Sequence, residues 1–252
     1  MELAEYERLN PHCEVSWEGK SVLYATPNQA TRWRAESLFD KEPVTIRWMS
    51  ALGTRAVLAD VGANVGMYTI WAAKIGGARV WAFEPKSQNF ALLNRNIVLN
   101  GVADRVKAYC VALSDCAGYS ELHLSEFAAG GSCHSLGERV DFKLEPAQPV
   151  FSQGCVSATL DELVGTGAMP QPTHVKIDVD GLEHKVVDGA RDTLRDPRLV
   201  SMIIEVNRNL EPHRALLREL EALGFRWDPA QVAAAERKSG AFVGVAEYVF
   251  TR

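Results

Sequence analysis

The feature that most constrains this chain is a rhythm. From residue 56 onward, short runs rich in β-branched residues alternate with longer stretches of helical periodicity. Strands are expected at AVLADV (56–61), RVWAFE (79–84), RVKAYCVAL (105–113), THVKIDV (173–179) and LVSMIIEV (199–206). Helices fit between them. MYTIWAAKIG stops at the Gly76-Gly77 pair, SQNFALLNRNIVLNG runs from Ser87 as N-cap to Gly101, and EPHRALLRELEALG puts Leu216, Leu217, Leu220 and Leu223 on one face. Parallel strands need such crossovers, and their two apolar faces must both be covered. GFRWD (224–228) and FVGVAEYVF (242–250) then read as a closing antiparallel pair. The expected fold is therefore α/β and Rossmann-like: a seven-stranded, mostly parallel sheet with helices on both faces and an antiparallel terminal strand.

Two regions break the rhythm. Residues 1–55 are expected to form an N-terminal cap, with a hairpin or strand at EVSWEGKSVLY and short helices at QATRWRAESLF and EPVTIRWMS, where Pro43 suits a first helical turn. Residues 56–252 would be the main domain. Within it, residues 114–158 are rich in Gly and Pro and read as an insertion of loops and small strands, a common source of a substrate-facing wall.

Charge and cysteine usage narrow the partners. A net charge of -5 with 27 scattered basic residues gives no footprint for nucleic acid. The five cysteines are odd in number, widely spaced and never form CxxC, which points to a reducing, cytoplasmic setting without a disulfide frame or zinc site. No apolar run is long enough to cross a bilayer, and the first ten residues lack the blocks of a signal peptide.

Ligand binding in such folds falls where a strand gives way to a helix, here at Gly62-Ala63-Asn64-Val65-Gly66. A dinucleotide loop would carry glycine at position 64 to admit a pyrophosphate; this loop has Asn64 there and an acid, Asp60, just before it. A carboxylate aimed into the pocket repels a phosphate and suits an ammonium group. S-adenosylmethionine has an ammonium, a sulfonium and no phosphate. Glu84, at the end of the next strand, is placed to accept hydrogen bonds from both hydroxyls of a ribose.

Four blocks carry a wider likeness: DVGANVGMYT (60–69), FEPKSQNFALLNRNIVLNG (83–101), VALSD (111–115) and KIDVDGLEHKVVDGA (176–190). In these the sequence resembles the FkbM family of class I S-adenosylmethionine-dependent methyltransferases, with a departure at Asp180, where the family pattern commonly has Glu. The resemblance implies a class I methyltransferase fold and methyl transfer to a hydroxyl of a sugar, glycan or secondary metabolite. It also implies a cofactor set of Asp60, Gly62, Ala63, Asn64, Gly66, Tyr68, Glu84, Pro85, Asn89, Ala112, Leu113 and Asp178.

Methylating an alcohol requires alignment and removal of a proton, so a base or a metal is needed beside the acceptor oxygen. Asp178 and Asp180 alternate at the end of a strand, which directs both side chains to one side, and Glu205 closes the adjacent strand. These three acids offer either a general base or ligands for a divalent cation such as Mg2+, with no metal firmly indicated. Lys176 is a candidate partner for Asp178; Glu183 serves equally well as a helix-start acid. His134 in the insertion is a further candidate base. Arg32, Arg34 and Lys41 are candidates for a carboxylate on the cofactor or substrate, with solvated charge as their default, while Trp17, Trp33 and Trp48 are expected mainly in the core. The competing functions are an NAD-dependent oxidoreductase, a non-catalytic cofactor-binding protein, and N-methylation of a small amine.

Overall fold

The computed structural model describes residues 1–5 and 8–252 in full and the backbone alone at 6 and 7. The chain opens with α1 (Leu3–Arg8), the hairpin β1 (His12–Trp17) and β2 (Lys20–Ala25), then α2 (Gln29–Glu36), α3 (Leu38–Lys41) and α4 (Pro43–Ser50), with Pro43 at the first position of its helix. The sheet begins with β3 (Val57–Val61), α5 (Met67–Lys74), β4 (Arg79–Phe83), α6 (Ser87–Leu99) and β5 (Val106–Tyr109). An interruption follows, made of β6 (Ala112–Leu113), β7 (Gly118–Leu124), β8 (Ser135–Leu136) and β9 (Phe151–Ala158). The chain then returns through α7 (Leu160–Gly165), β10 (His174–Ile177), α8 (Glu183–Asp188), α9 (Arg191–Arg195), β11 (Ser201–Asn207), α10 (Glu211–Ala222), β12 (Arg226–Trp227), α11 (Pro229–Ala235) and β13 (Val245–Thr251).

The main sheet has seven strands in the order β12-β13-β11-β10-β3-β4-β5. From β11 to β5 every pairing is parallel, and β13 lies antiparallel between β11 and β12. All five residues of β3 are buried, as a central parallel strand covered on both faces requires. Side chains alternate between two cores. Val57, Ala59 and Val61 join one, together with α8 to α11; Leu58 joins the other with α5, α6 and the N-terminal elements. Among the described residues no helix is long and apolar enough to cross a membrane.

Several details differ from the expected elements. The run at 105–113 is two strands, because the chain leaves the main sheet after Tyr109 and Ala112-Leu113 pairs in parallel with Ser157-Ala158 of β9. The insertion builds its own four-stranded sheet, β6-β9-β7-β8, in which β7 and β9 pair in antiparallel register over seven residue pairs. Ser87 is the first helical residue of α6 rather than its cap, a position taken by Lys86. Strand β10 ends at Ile177, before both aspartates of the acid motif.

Helix α6 spends its asparagines on neighbouring backbone. Asn96 accepts from the Ala25 N–H at 2.8 Å and donates to the Val65 carbonyl at 2.8 Å; Asn100 accepts from the Leu23 N–H at 2.9 Å. These bonds satisfy the free edge of β2 and attach the N-terminal hairpin to the loop after β3.

Candidate active site

The loop after β3 is shaped from beneath. Gly62 has φ +77°, and a Cβ on it would lie 1.8 Å from the carbonyl oxygen of Asp178. The Gly62 and Ala63 N–H groups both donate to the Phe83 carbonyl at 3.0 Å, closing the loop onto the end of β4. Glu84 follows directly. One of its oxygens accepts from the Asn64 N–H at 2.8 Å and the other from the Lys86 N–H at 2.9 Å. Burial pushes its carboxyl up to about 7 against the pull of those donors. The Asn64 side chain donates to the Gly131 carbonyl at 2.9 Å, while Asn89 accepts from the Gly130 N–H at 2.8 Å and donates to the Gly131 carbonyl at 3.1 Å. The inserted segment is thereby clamped over the loop.

Gly62, Ala63, Asn64, Tyr68, Glu84, Pro85, Asn89, Ala112, Leu113 and Asp178 all line one cavity of about 330 Å³. Asp60 does not. Its carboxylate is fully buried behind the loop, accepting from the Thr69 hydroxyl at 2.5 Å and standing 3.5 Å from Lys176 Nζ, so it is not aimed at a ligand as its position in the sequence implies. Gly66 also lies outside the lining; it starts α5 with φ +84°, packed against Leu93.

The same cavity is also lined by Asp178, Asp180, Glu205 and His134. The two aspartates meet there, although not by strand alternation. After Ile177 the backbone turns through left-handed conformations at Asp180 (φ +56°) and Gly181 (φ +109°). Glu183 holds that turn from inside: its carboxylate accepts from the Val179 N–H at 2.8 Å and the Gly181 N–H at 3.0 Å, with His213 Nε2 at 3.1 Å. It therefore serves the backbone and stays out of the cavity lining.

The three cavity acids differ in electrostatics. Burial opposes ionisation of Asp178, but Lys176 at 3.4 Å, then Lys41 and Arg237, outweigh it and hold the carboxyl below its ordinary value. Burial and then the Asp178 charge push Asp180 up to about 6, against a 2.6 Å hydrogen bond that it accepts from the Cys133 N–H. Glu205 is raised well above its ordinary value by burial and then by Asp178, although Arg237 Nη1 stands 2.7 Å away. Arg237 offsets this only in part because it is shared: its other guanidinium nitrogen lies 3.0 Å from Glu247 and 3.8 Å from Glu42.

His134 belongs to the cavity wall rather than the surface. Its Nδ1 accepts from the Ser125 N–H at 3.2 Å, and its Nε2 is buried without a partner among the described residues. Burial and then the Lys86 charge pull its pKa down to about 4, so the ring is neutral at pH 7. Arg34 and Lys41 also reach the cavity, contrary to their default as solvated charges. Arg32 follows the default, pairing with Glu36 on an exposed helix face. Trp33 is 54% exposed and lines the cavity, whereas Trp17 packs on Phe39 and Trp71, and Trp48 donates to the Ser201 hydroxyl.

Sequence reasoning missed Arg237, Glu42, Glu247 and Phe242. Glu247 carried a signal, since it interrupts the apolar run VAEYVF as Glu205 interrupts IIEV, and the two are register partners on β13 and β11. Arg237 had none: it lies in the connection after α11 and reaches the carboxylates only through the fold.

A central parallel sheet with an antiparallel strand inserted near its end, a glycine loop after its central strand and a carboxylate at the end of the next together define a class I methyltransferase. The chain belongs to the FkbM methyltransferase family: the model of the methyltransferase FkbM domain matches residues 60–227. It is similar to the hexuronic acid methyltransferase AglP of Haloferax volcanii, 28% identical over 204 residues that cover 79% of this chain and 75% of AglP. It is also similar to the 31-O-demethyl-FK506 methyltransferase FkbM of Streptomyces tacrolimicus, 30% identical over 172 residues, which cover 60% of this chain and 65% of the relative. Among solved structures, an rRNA methylase from Streptococcus thermophilus shares the fold, with a TM-score of 0.50 and 11% identity over 84% of this chain and 98% of that one.

Proposed function

We propose that this methyltransferase uses S-adenosylmethionine to methylate a hydroxyl oxygen of a sugar, glycan or secondary metabolite. The observation that carries the reading is the continuity of one cavity from Glu84, a carboxylate suited to a ribose, to Asp180, a carboxylate suited to receive a proton.

The residues present fit the methyl donor. Each Glu84 oxygen accepts one backbone bond and keeps a lone pair for a ribose hydroxyl. Ala112 and Leu113 offer apolar surface for the base, and anionic Asp178 suits a cationic centre. Bound there, the cofactor supplies an electrophilic methyl group. The chain's own work is alignment and proton removal. Asp180 is the base we assign: its oxygen not held by the Cys133 N–H takes the acceptor's hydroxyl proton, and a raised pKa makes it a better acceptor than Asp178. Neutral His134, with Nε2 unpartnered, orients the same hydroxyl.

Asp178, Asp180 and Glu205 can bring one oxygen each within 4.8 Å of one another, the spacing of a cation site. Lys176 already stands on Asp178 and Arg237 on Glu205, so protein cations supply the counter-charge and we assign no Mg2+. The acidic cavity and the net charge of -5 favour a small molecule or glycan over nucleic acid. Membership of the FkbM methyltransferase family supports a methyl donor over a nicotinamide.

The test is calorimetric titration with S-adenosylhomocysteine and with NAD in parallel, then transfer of a labelled methyl group to a panel of sugars, sugar acids, amines and RNA. Micromolar binding of S-adenosylhomocysteine alone and label in an alkali-stable methyl ether are expected. Preference for NAD would overturn the cofactor, and label on nitrogen or RNA would overturn the acceptor.

A further inference from the structure

The cavity contains a cation whose charge no carboxylate meets among the described residues. Of its basic residues, Lys41 pairs with Glu42 at 2.6 Å and Arg237 with Glu205 at 2.7 Å and Glu247 at 3.0 Å. Arg34, on α2, makes no ion pair among the described residues. Its Nε donates to the Gly130 carbonyl at 2.7 Å, which fixes the guanidinium against the inserted segment, and its terminal nitrogens make no hydrogen bond among the described residues. Its neighbours add positive potential. Lys86, buried to 1% exposure, donates to the Glu126 and Ala128 carbonyls; burial disfavours its charged form, the Glu126 and then the Glu84 charges favour it, and the Arg34 charge opposes it, as it opposes the charged forms of Lys41 and His134. An unpaired guanidinium at the wall of an otherwise acidic cavity costs free energy in the empty protein, and an anionic ligand group relieves that cost.

We propose that Arg34 is a carboxylate-binding residue of this cavity, its planar fork receiving a carboxylate of the bound ligand by paired N–H···O bonds. The inference rests on the methyltransferase reading above and deepens it. Two molecules in that reaction can bring the carboxylate: the amino-acid end of the cofactor, or an acidic acceptor such as a sugar acid. Trp33, next to Arg34 in sequence and also on the cavity wall, offers a flat apolar face for the rest of either.

The experiment uses Arg34→Gln, which removes the charge and keeps an N–H donor for the Gly130 carbonyl, beside Arg34→Lys, which keeps charge without the fork. Each is titrated with S-adenosylhomocysteine and with 5′-methylthioadenosine, a nucleoside thioether without a carboxylate. Turnover is then measured on a glucuronide and on its methyl ester. Loss of roughly 10- to 100-fold in affinity for S-adenosylhomocysteine, with 5′-methylthioadenosine unchanged, assigns the site to the cofactor. A similar rise in KM for the glucuronide, with its ester and both nucleosides unchanged, assigns it to the acceptor. Arg34→Lys should recover only part of either effect. Equal losses for charged and uncharged members of both pairs, or no loss in any, would overturn the proposal. Wild-type protein that fails to bind S-adenosylhomocysteine would instead overturn the reading beneath it.

Discussion

Lys176 joins Asp60 of β3 to Asp178 just beyond β10, its Nζ lying 3.4 Å from Asp178 and 3.5 Å from Asp60. Burial alone lowers its pKa, but the Asp178 and then the Asp60 charges outweigh that and raise it, so the amine stays charged and Asp178 stays anionic. Asp178 is thereby committed to charge balance, leaving Asp180 as the carboxylate able to exchange a proton.

That division sets a pH dependence. With Asp180 raised to about 6, the deprotonated base is present above that value, and kcat/KM should fall as pH drops through about 6. Asp180→Asn should lose about 10²- to 10⁴-fold in kcat, keep its affinity for S-adenosylhomocysteine and show no acid limb near pH 6. A variant that retains the limb would remove Asp180 from the role.

Gly62 tolerates no side chain. Its Cβ would meet the Asp178 carbonyl at 1.8 Å, and φ +77° is strained for any other residue. Gly62→Ala should destabilise the protein by about 2–5 kcal/mol, combining backbone strain with overpacking, and should weaken cofactor binding as the loop moves. Urea denaturation and the same calorimetric titration measure the two effects; a variant as stable as wild type would mean that the two loops do not touch.

Glu247 makes stability depend on pH. Burial, then the Glu42 charge, lift its carboxyl from 4.5 to about 7 against Arg237. A group raised in this way contributes stability that is fully present below about pH 4.5 and lost as pH rises through about 7. Glu247→Gln should flatten the decline of unfolding free energy between pH 5 and 8 by on the order of 2 kcal/mol. Parallel denaturation series decide it: an unchanged slope would place the titration elsewhere.

Chelation should have little effect. Because Lys176 and Arg237 already face Asp178 and Glu205, turnover in excess EDTA should stay within about twofold of that in added Mg2+, which is below one hydrogen bond's worth of stabilisation. An activity abolished by EDTA and restored by Mg2+ would make the three acids a metal centre after all.

The local pattern of the chain determined a good deal by itself. The alternation of apolar runs with helical stretches determined the seven-stranded sheet, since a strand buried on both faces must be apolar throughout and needs a crossover helix to reach its parallel neighbour. The strand-to-helix junctions marked where Gly62 and Glu84 would meet. Such signals are short-range, and the covalent chain carries them directly.

Only the tertiary structure decided which charges face the cavity. Asp60, next to last in β3, and Glu84, just after β4, stand at the same edge of the sheet by sequence, yet Asp60 turns inward to Lys176 while Glu84 lines the site. Asp178 and Asp180 converge through a left-handed turn held by Glu183 and His213, rather than by the period of a strand. Arg34, Arg237 and Glu42 come from segments far apart in sequence and acquire roles only when the sheet brings them to one end. Electrostatic roles depend on distance and burial in three dimensions, and no period along the chain encodes either.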